Sequence, residues 1–198
     1  MLNINIGGYK GWKKFNPDVL KQWKIMDIDP RSDYTYDANS SLPFPLRNKT
    51  VNNYYSSMMI EHIAPANLVF FIREVHRTLM VGGIIRIVVP DICSAIQKYL
   101  AKDKKWLFGL NLPTPSPSYP PTILGQLIGW FYTEDLMKKG ALRSGHKMVF
   151  DDETLNYYLK TAGFSNIKKM RYGEHSKIFT GKDFVRYSTY SLYVEATK

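Results

Sequence analysis

The stretch Glu74–Asp91, EVHRTLMVGGIIRIVVPD, decides the fold. Its centre, Ile84-Ile85-Arg86-Ile87-Val88-Val89, is an almost unbroken run of β-branched residues. That is the pattern of a strand covered on both faces in a parallel sheet. Pro90 stops the run because it has no amide hydrogen to give to a ladder. Asp91 then offers a carboxylate to the first amides of a helix expected through about Leu100, with Ile92, Ile96 and Tyr99 or Leu100 inward. Upstream, Gly82-Gly83 supplies the left-handed residue expected to end the preceding helix.

That preceding helix is expected over Ala64–Leu79. Pro65 suits its first turn, and Leu68, Ile72, Val75 and Leu79 recur at helical spacing on one face. Further upstream, short β-rich runs alternate with turns, as parallel βαβ units require. Leu2–Ile6 reads as a first strand ending at Gly7-Gly8. Asn16-Pro17 opens a short helix through Lys21, and Trp23–Ile28 is a second strand. Tyr34–Asp37 is a short third strand and Val51–Ser57 a fourth.

Downstream of Leu100 the rhythm breaks. Pro113, Pro115, Pro117, Pro120 and Pro121 crowd together and are followed by the apolar run Ile123–Tyr132. The stretch of about residues 102–147 is too long for an ordinary loop and reads as an insertion, or lid, within one domain spanning 1–198. Asp151 is expected to cap a last helix through Ala162, ended by Gly163. Ile167–Tyr172 and Ser188–Ala196 are the last candidate strands.

Composition narrows the class. With 44% hydrophobic and 22% charged residues in 198, the chain has the make-up of a globular protein. Cys93 is its single cysteine, so no internal disulfide forms. No apolar run approaches the roughly 20 residues of a membrane span. Met1-Leu2-Asn3-Ile4 enters a strand pattern at once, and a cytoplasmic location is the expectation. The net charge of +10 is concentrated in the second half. Residues 98–198 carry 16 basic and 9 acidic side chains, against 11 and 8 in residues 1–97. A positive surface raises the local concentration of anionic partners. With no zinc-ligand spacing, no RNA-recognition aromatic signature and no block of like charge, nucleic acid is disfavoured and no metal site is expected.

In an open parallel sheet, ligands bind beyond the carboxyl ends of the strands, where strand order reverses. Gly7 and Gly8 follow the first strand, and glycine there lets backbone approach a ligand closely. Asp27-Ile28-Asp29 ends the second strand, where a carboxylate can accept both hydroxyls of a ribose. Asp37 follows the third and can accept from an adenine amino group, although Asn39-Ser40-Ser41 beside it is also turn chemistry. Ser56 and Ser57 end the fourth, followed by Glu61-His62.

These landmarks resemble those of class I S-adenosylmethionine-dependent methyltransferases, and most nearly the small type 11 methyltransferase-domain proteins. The resemblance rests on Ile4-Asn5-Ile6-Gly7-Gly8, Met26-Asp27-Ile28-Asp29 and Leu42-Pro43-Phe44. It rests also on Ser57–Ile63 (SMMIEHI), Glu74–Asp91 and His146–Phe164 (HKMVFDDETLNYYLKTAGF). It implies an α/β, Rossmann-like three-layer sandwich with a seven-stranded, mostly parallel sheet and an antiparallel last strand. It implies S-adenosylmethionine as cofactor, with Gly7 and Gly8 under its methionine end and Asp27 on its ribose. Ile28 would lie against the adenine, Asp37 and Ala38 at the adenine edge, and Ser56 and Ser57 on the floor.

The implied activity is methyl transfer, with oxygen of a small or saccharide-like acceptor, phosphorylated or otherwise acidic, as the expected target. A high-pKa oxygen needs a base, for which His146 comes first and His62 and Glu61 next. Trp130, Tyr132 and Arg143 are the expected acceptor-binding residues in the insertion, which could instead supply a homodimer contact or a membrane-surface patch, Trp106-Leu107-Phe108 and Ile123–Tyr132 being strongly apolar. The broad family pattern has an acidic residue where Asn5 stands, a glycine at Tyr9 and an acidic residue at Asn53. Those departures define the alternative reading, a degenerate member of the fold acting as a cofactor-sensing or interaction subunit.

Overall fold

The structure is a computed structural model that describes residues 1–8, 22–109, 120–131, 136–138, 141–143 and 145–198. Its strands are β1 (Asn3–Ile6), β2 (Trp23–Asp27), β3 (Tyr34–Thr35), β4 (Val51–Ser57), β5 (Leu79–Pro90), β6 (Leu136–Lys138), β7 (Ala141–Arg143), β8 (Ser165–Met170) and β9 (Ser191–Thr197). The helices are α1 (Pro65–Thr78), α2 (Ile92–Leu100), α3 (Lys104–Gly109), α4 (Ile123–Phe131) and α5 (Asp152–Ala162). The helix expected after Asn16-Pro17 lies outside the described residues.

Seven strands form one sheet in the order β3-β2-β1-β4-β5-β9-β8, and β6 pairs with β7 in a separate antiparallel hairpin. From β3 to β5 every pairing is parallel, while β9 runs antiparallel to both β5 and β8. β1 has β2 on one side and β4 on the other, so the winding reverses there. The crevice for a ligand therefore opens beyond Ile6 and Ser57.

The β-branched run of β5 separates two cores. Ile85, Ile87 and Val89 face the larger one, with Ile4, Ile6, Tyr54, Leu68, Ile72, Val75, Leu155 and Leu159. Ile84 and Val88 face the other way, toward Trp23, Tyr55, Phe179 and Tyr193. Alternate side chains of a strand point to opposite faces, so a strand covered twice must be apolar throughout. Arg86 is the exception. It is fully buried, and its guanidinium meets Asp183 (Nε to Oδ1 3.0 Å) and its cross-strand neighbour Glu195 (Nη1 to Oε1 2.9 Å). Glu195 accepts in addition from the Ser176 amide and hydroxyl.

Leu68, Ile72, Val75 and Leu79 are buried as their spacing predicts, each contributing at most about 1.5–3 kcal/mol of burial free energy. The end of α1 differs from the expectation. Leu79 is already extended (ψ 140°) and begins β5, so Gly82 does not stop the helix. Gly82 (φ +77°) lies inside β5 at an irregularity, where the partners of β4 jump from Val51–Leu79 to Asn53–Ile84. Its amide donates to the Lys198 carbonyl at 3.0 Å. A bulge with a residue at positive φ favours glycine as a helix end does, so the glycine alone does not tell the two uses apart.

The other stop and start signals hold. Asp91 accepts from the Cys93 amide at 3.0 Å and Asp151 from the Thr154 amide at 2.8 Å, while Gly163 ends α5 at φ +100°. The face of α2 is rotated from its expectation: Ala95 is fully buried, whereas Ile96 and Leu100 are exposed. Ala95 packs with Leu127 of α4 and with Tyr187 and Tyr190, a small cluster that ties the 123–131 segment to the edge of the sheet. No helix among the described residues is long and apolar enough to cross a membrane.

Candidate active site

The cradle at the reversal point begins with Gly7, whose φ is +74° and whose amide donates to the Met26 carbonyl at 2.9 Å. A Cβ on Gly7 would lie 2.3 Å from Met59 Cγ, and one on Gly8 would lie 2.6 Å from Asn5 Nδ2. Both glycines are required sterically. Gly7 is also set against the β4 exit, and Asn5 stands beneath Gly8. Tyr9 lies outside the described residues.

Asp27 is the last residue of β2 and is half-buried. Burial pushes its carboxyl above the usual range, against the pull of the Asp29 amide, which donates to Oδ1 at 2.9 Å. Ile28 beside it is 58% exposed, an apolar surface left uncovered at the strand end. Asp37 is exposed and its Oδ1 accepts from the Asn39 amide at 2.8 Å, so it closes a turn as well as facing outward. Ala38 packs against the main core. On the floor, the hydroxyls of Ser56 and Ser57 are buried without a hydrogen-bond partner among the described residues. Buried hydroxyls are rarely left so.

Asn39 was read in the sequence only as turn chemistry, yet it holds the third-strand loop to the β4 exit. Its Nδ2 donates to the His62 carbonyl (3.2 Å), its Oδ1 accepts from the Ala64 amide (2.8 Å), and its carbonyl accepts from Asn67 Nδ2 (2.8 Å). Nothing local distinguishes this asparagine from an ordinary turn residue. Its partners lie more than 20 positions away.

Beyond β4 the chain passes Met58 in a positive-φ conformation (+52°) and enters a single 3-10 turn, Ile60–His62. The Glu61 carbonyl accepts from the amides of Lys147 (2.8 Å) and Met148 (3.0 Å), clamping the 145–150 segment over the sheet edge. His62 Nδ1 lies 3.1 Å from the Gly145 carbonyl, and the His62 and His146 rings meet edge to face at 4.8 Å. Glu61 is 1% exposed, and neither carboxylate oxygen has a hydrogen-bond partner among the described residues. Burial pushes its carboxyl up to about 8. Its charge also adds to the burial that raises the Tyr187 and Tyr190 hydroxyls, with Tyr190 reaching about 12.

Glu61, His62 and His146 are thus brought into one cluster, two of them from the β4 exit and one from beyond the insertion. Of the expected acceptor residues, Trp130 falls in α4 and Arg143 in β7, but their side chains lie outside the described part of the structure. Tyr132 lies outside the described residues altogether. His76 stacks on Phe164 at 5.0 Å and His175 bonds the Ser176 carbonyl, structural positions in both cases.

The strand order, the antiparallel β9 and the crevice at the β1–β4 reversal define the class I S-adenosylmethionine-dependent methyltransferase fold. The chain is similar in structure to an S-adenosylmethionine-dependent methyltransferase of Archaeoglobus fulgidus. That match has 16% identity and a TM-score of 0.55, and covers 100% of this chain and 86% of the other. It is similar also to a methyltransferase of Mesorhizobium loti, at 14% identity and TM-score 0.52, covering 99% and 90%. A third is the 1,6-didemethyltoxoflavin-N1-methyltransferase of Burkholderia thailandensis with bound S-adenosylhomocysteine. There the identity is 12% and the TM-score 0.54, over 100% of this chain and 70% of that one. No protein-family model and no curated protein sequence matches the chain.

Proposed function

We propose that the chain is an S-adenosylmethionine-dependent methyltransferase acting on oxygen of a small or saccharide-like acceptor that carries phosphate or another acidic group. The observation that carries the reading is the Gly7–Met59 approach. It joins the glycine turn, where a cofactor backbone fits, directly to the exit of β4, where the ionisable cluster begins.

The residues present fit the cofactor. Gly7 and Gly8, held to glycine by Met59 and Asn5, keep the turn after β1 narrow and its backbone open to a ligand, and Asp27 presents a half-buried carboxylate to the ribose hydroxyls. Ile28 offers an exposed apolar face to the adenine, with Asp37 and Ala38 at its edge. The buried Ser56 and Ser57 hydroxyls await polar partners on the floor. Bound there, the cofactor supplies a methyl group on a sulfonium, a carbon already carrying a neutral leaving group. The chain's task is then to align the acceptor oxygen, exclude water and hold the proton which that oxygen gives up. His146 is the first candidate to hold it, because it follows the insertion and its ring meets His62 at the β4 exit. The insertion, with α4 packed against Tyr187 and Tyr190, serves as the lid and as the source of acceptor contacts through Trp130, Tyr132 and Arg143. The excess of basic residues after position 98 favours an anionic acceptor.

Titration calorimetry with S-adenosylmethionine and S-adenosylhomocysteine tests the reading, followed by a screen of phosphorylated and carboxylated sugars with methyl-labelled cofactor. Binding of both ligands is expected. No heat at millimolar concentration of either overturns it in favour of a degenerate, interaction-only role.

A further inference from the structure

The Glu61–His62–His146 cluster holds more than a proton acceptor requires. One ligating atom from each residue lies within 4.8 Å of the other two. The Glu61 carboxylate is buried and turned into this group, and no other described residue donates a hydrogen bond to it. A buried carboxylate is tolerated when it is paired or bound to a metal. Two imidazoles and one carboxylate are the ligand set of first-row divalent ions and of zinc in hydrolytic enzymes. Calcium and magnesium prefer oxygen alone.

The surroundings are those that metal ligands need. A carbonyl can only accept, so the Gly145 carbonyl 3.1 Å from His62 Nδ1 places the ring proton on Nδ1. A ring held in this way through Nδ1 has the outer-shell arrangement that orients a ligating histidine, with Nε2 as the ligand atom. The two amides on the Glu61 carbonyl hold residues 147 and 148 against the 3-10 turn, which fixes His146 relative to Glu61 and His62. Two ligands around a tetrahedral zinc ion sit about 3.4 Å apart, given bonds of about 2.1 Å. The cluster, with its ligating atoms within 4.8 Å of one another, is slightly open by that measure.

We propose that Glu61, His62 and His146 bind one first-row divalent cation of the zinc type, leaving a coordination position for an oxygen of the acceptor. Three protein ligands leave a zinc ion such an open position. Met59, two residues before Glu61, packs against Gly7, so the cluster follows directly on the glycine turn. The acceptor's use of the ion rests on the methyltransferase reading; the ion's binding does not. With the ion bound, His146 is a ligand, and the ion, by lowering the pKa of the oxygen it binds, takes over the proton-holding task otherwise given to His146.

The experiment uses the full chain, stripped with chelator and dialysed against Zn²⁺ or Co²⁺, with bound metal counted and the visible Co²⁺ spectrum recorded. One ion per chain is expected. Glu61→Gln and His146→Ala should each weaken binding at least about tenfold and change the Co²⁺ spectrum, while His175→Ala should do neither. Circular dichroism identifies any variant that fails to fold, and the Co²⁺ spectrum of the wild-type chain then decides alone, through imidazole ligation. Absence of stoichiometric metal, or equal binding by the variants and wild type, overturns the proposal. S-adenosylhomocysteine is titrated separately into the metal-free chain. Metal without nucleoside binding removes the methyltransferase reading alone, and nucleoside without metal binding removes the cation site alone.

Discussion

The His146 ring lies edge-on to the His62 ring, with centroids 4.8 Å apart and planes inclined at 68°. This contact joins the exit of β4 to the segment that follows the insertion, so the acceptor side of the site depends on both. Replacing His146 by Ala should lower kcat by roughly 10²–10⁴-fold if it holds the acceptor proton. S-adenosylhomocysteine affinity should stay as it was. Turnover equal to wild type in a folded variant would remove His146 from the catalytic residues.

Asp27→Ala tests the cofactor side. Losing a charged hydrogen-bond partner of the ribose should cost roughly 1.5–3 kcal/mol of binding. Calorimetry should therefore show S-adenosylhomocysteine binding weakened by about tenfold to a hundredfold, with little change in Tm because the carboxylate is only half-buried. An unchanged Kd would place the ribose elsewhere.

Arg86→Ala should be among the most damaging single changes. It strands Asp183 and Glu195, both nearly inaccessible, without their cation. Breaking a buried pair in this way costs about 3–5 kcal/mol. The midpoint of urea unfolding should fall accordingly, and a loss below about 1 kcal/mol would show that the carboxylates find other partners.

Lys182 sets a pH dependence of stability. It is 2% exposed, its ammonium lies 4.0 Å from the Trp23 ring centroid, and burial pulls its pKa down to about 7. The Trp23 face favours the charged form and works against that fall. The unfolded chain, near 10.5, holds this proton over a range where the folded chain has released it. Stability should therefore rise as pH increases from about 7 toward 10.5, and the gain should be lost as pH falls back through 7. Lys182→Met should flatten that part of the curve. Parallel curves for variant and wild type would show that the ammonium stays charged in the folded state.

Much of this was readable in the linear chain because it depends on neighbours. The β-branched run of β5, the spacing of Leu68, Ile72, Val75 and Leu79, and the caps Asp91, Asp151 and Gly163 all act within a few residues. The order of those elements, with Gly7, Asp27 and Ser56 at strand ends, was enough to indicate the sheet and its crevice. Only the tertiary structure decided what lay between distant segments. It put Gly82 at the register shift between β4 and β5, with its amide on the Lys198 carbonyl, and turned Ala95 rather than Ile96 inward because α4 and Tyr190 pack there. It also gathered Glu61, His62 and His146, which the sequence had offered as separate candidates, into one cluster. Periodicity records which face of an element is covered. It does not record what covers it, because that depends on chain crossovers whose ends are distant in sequence.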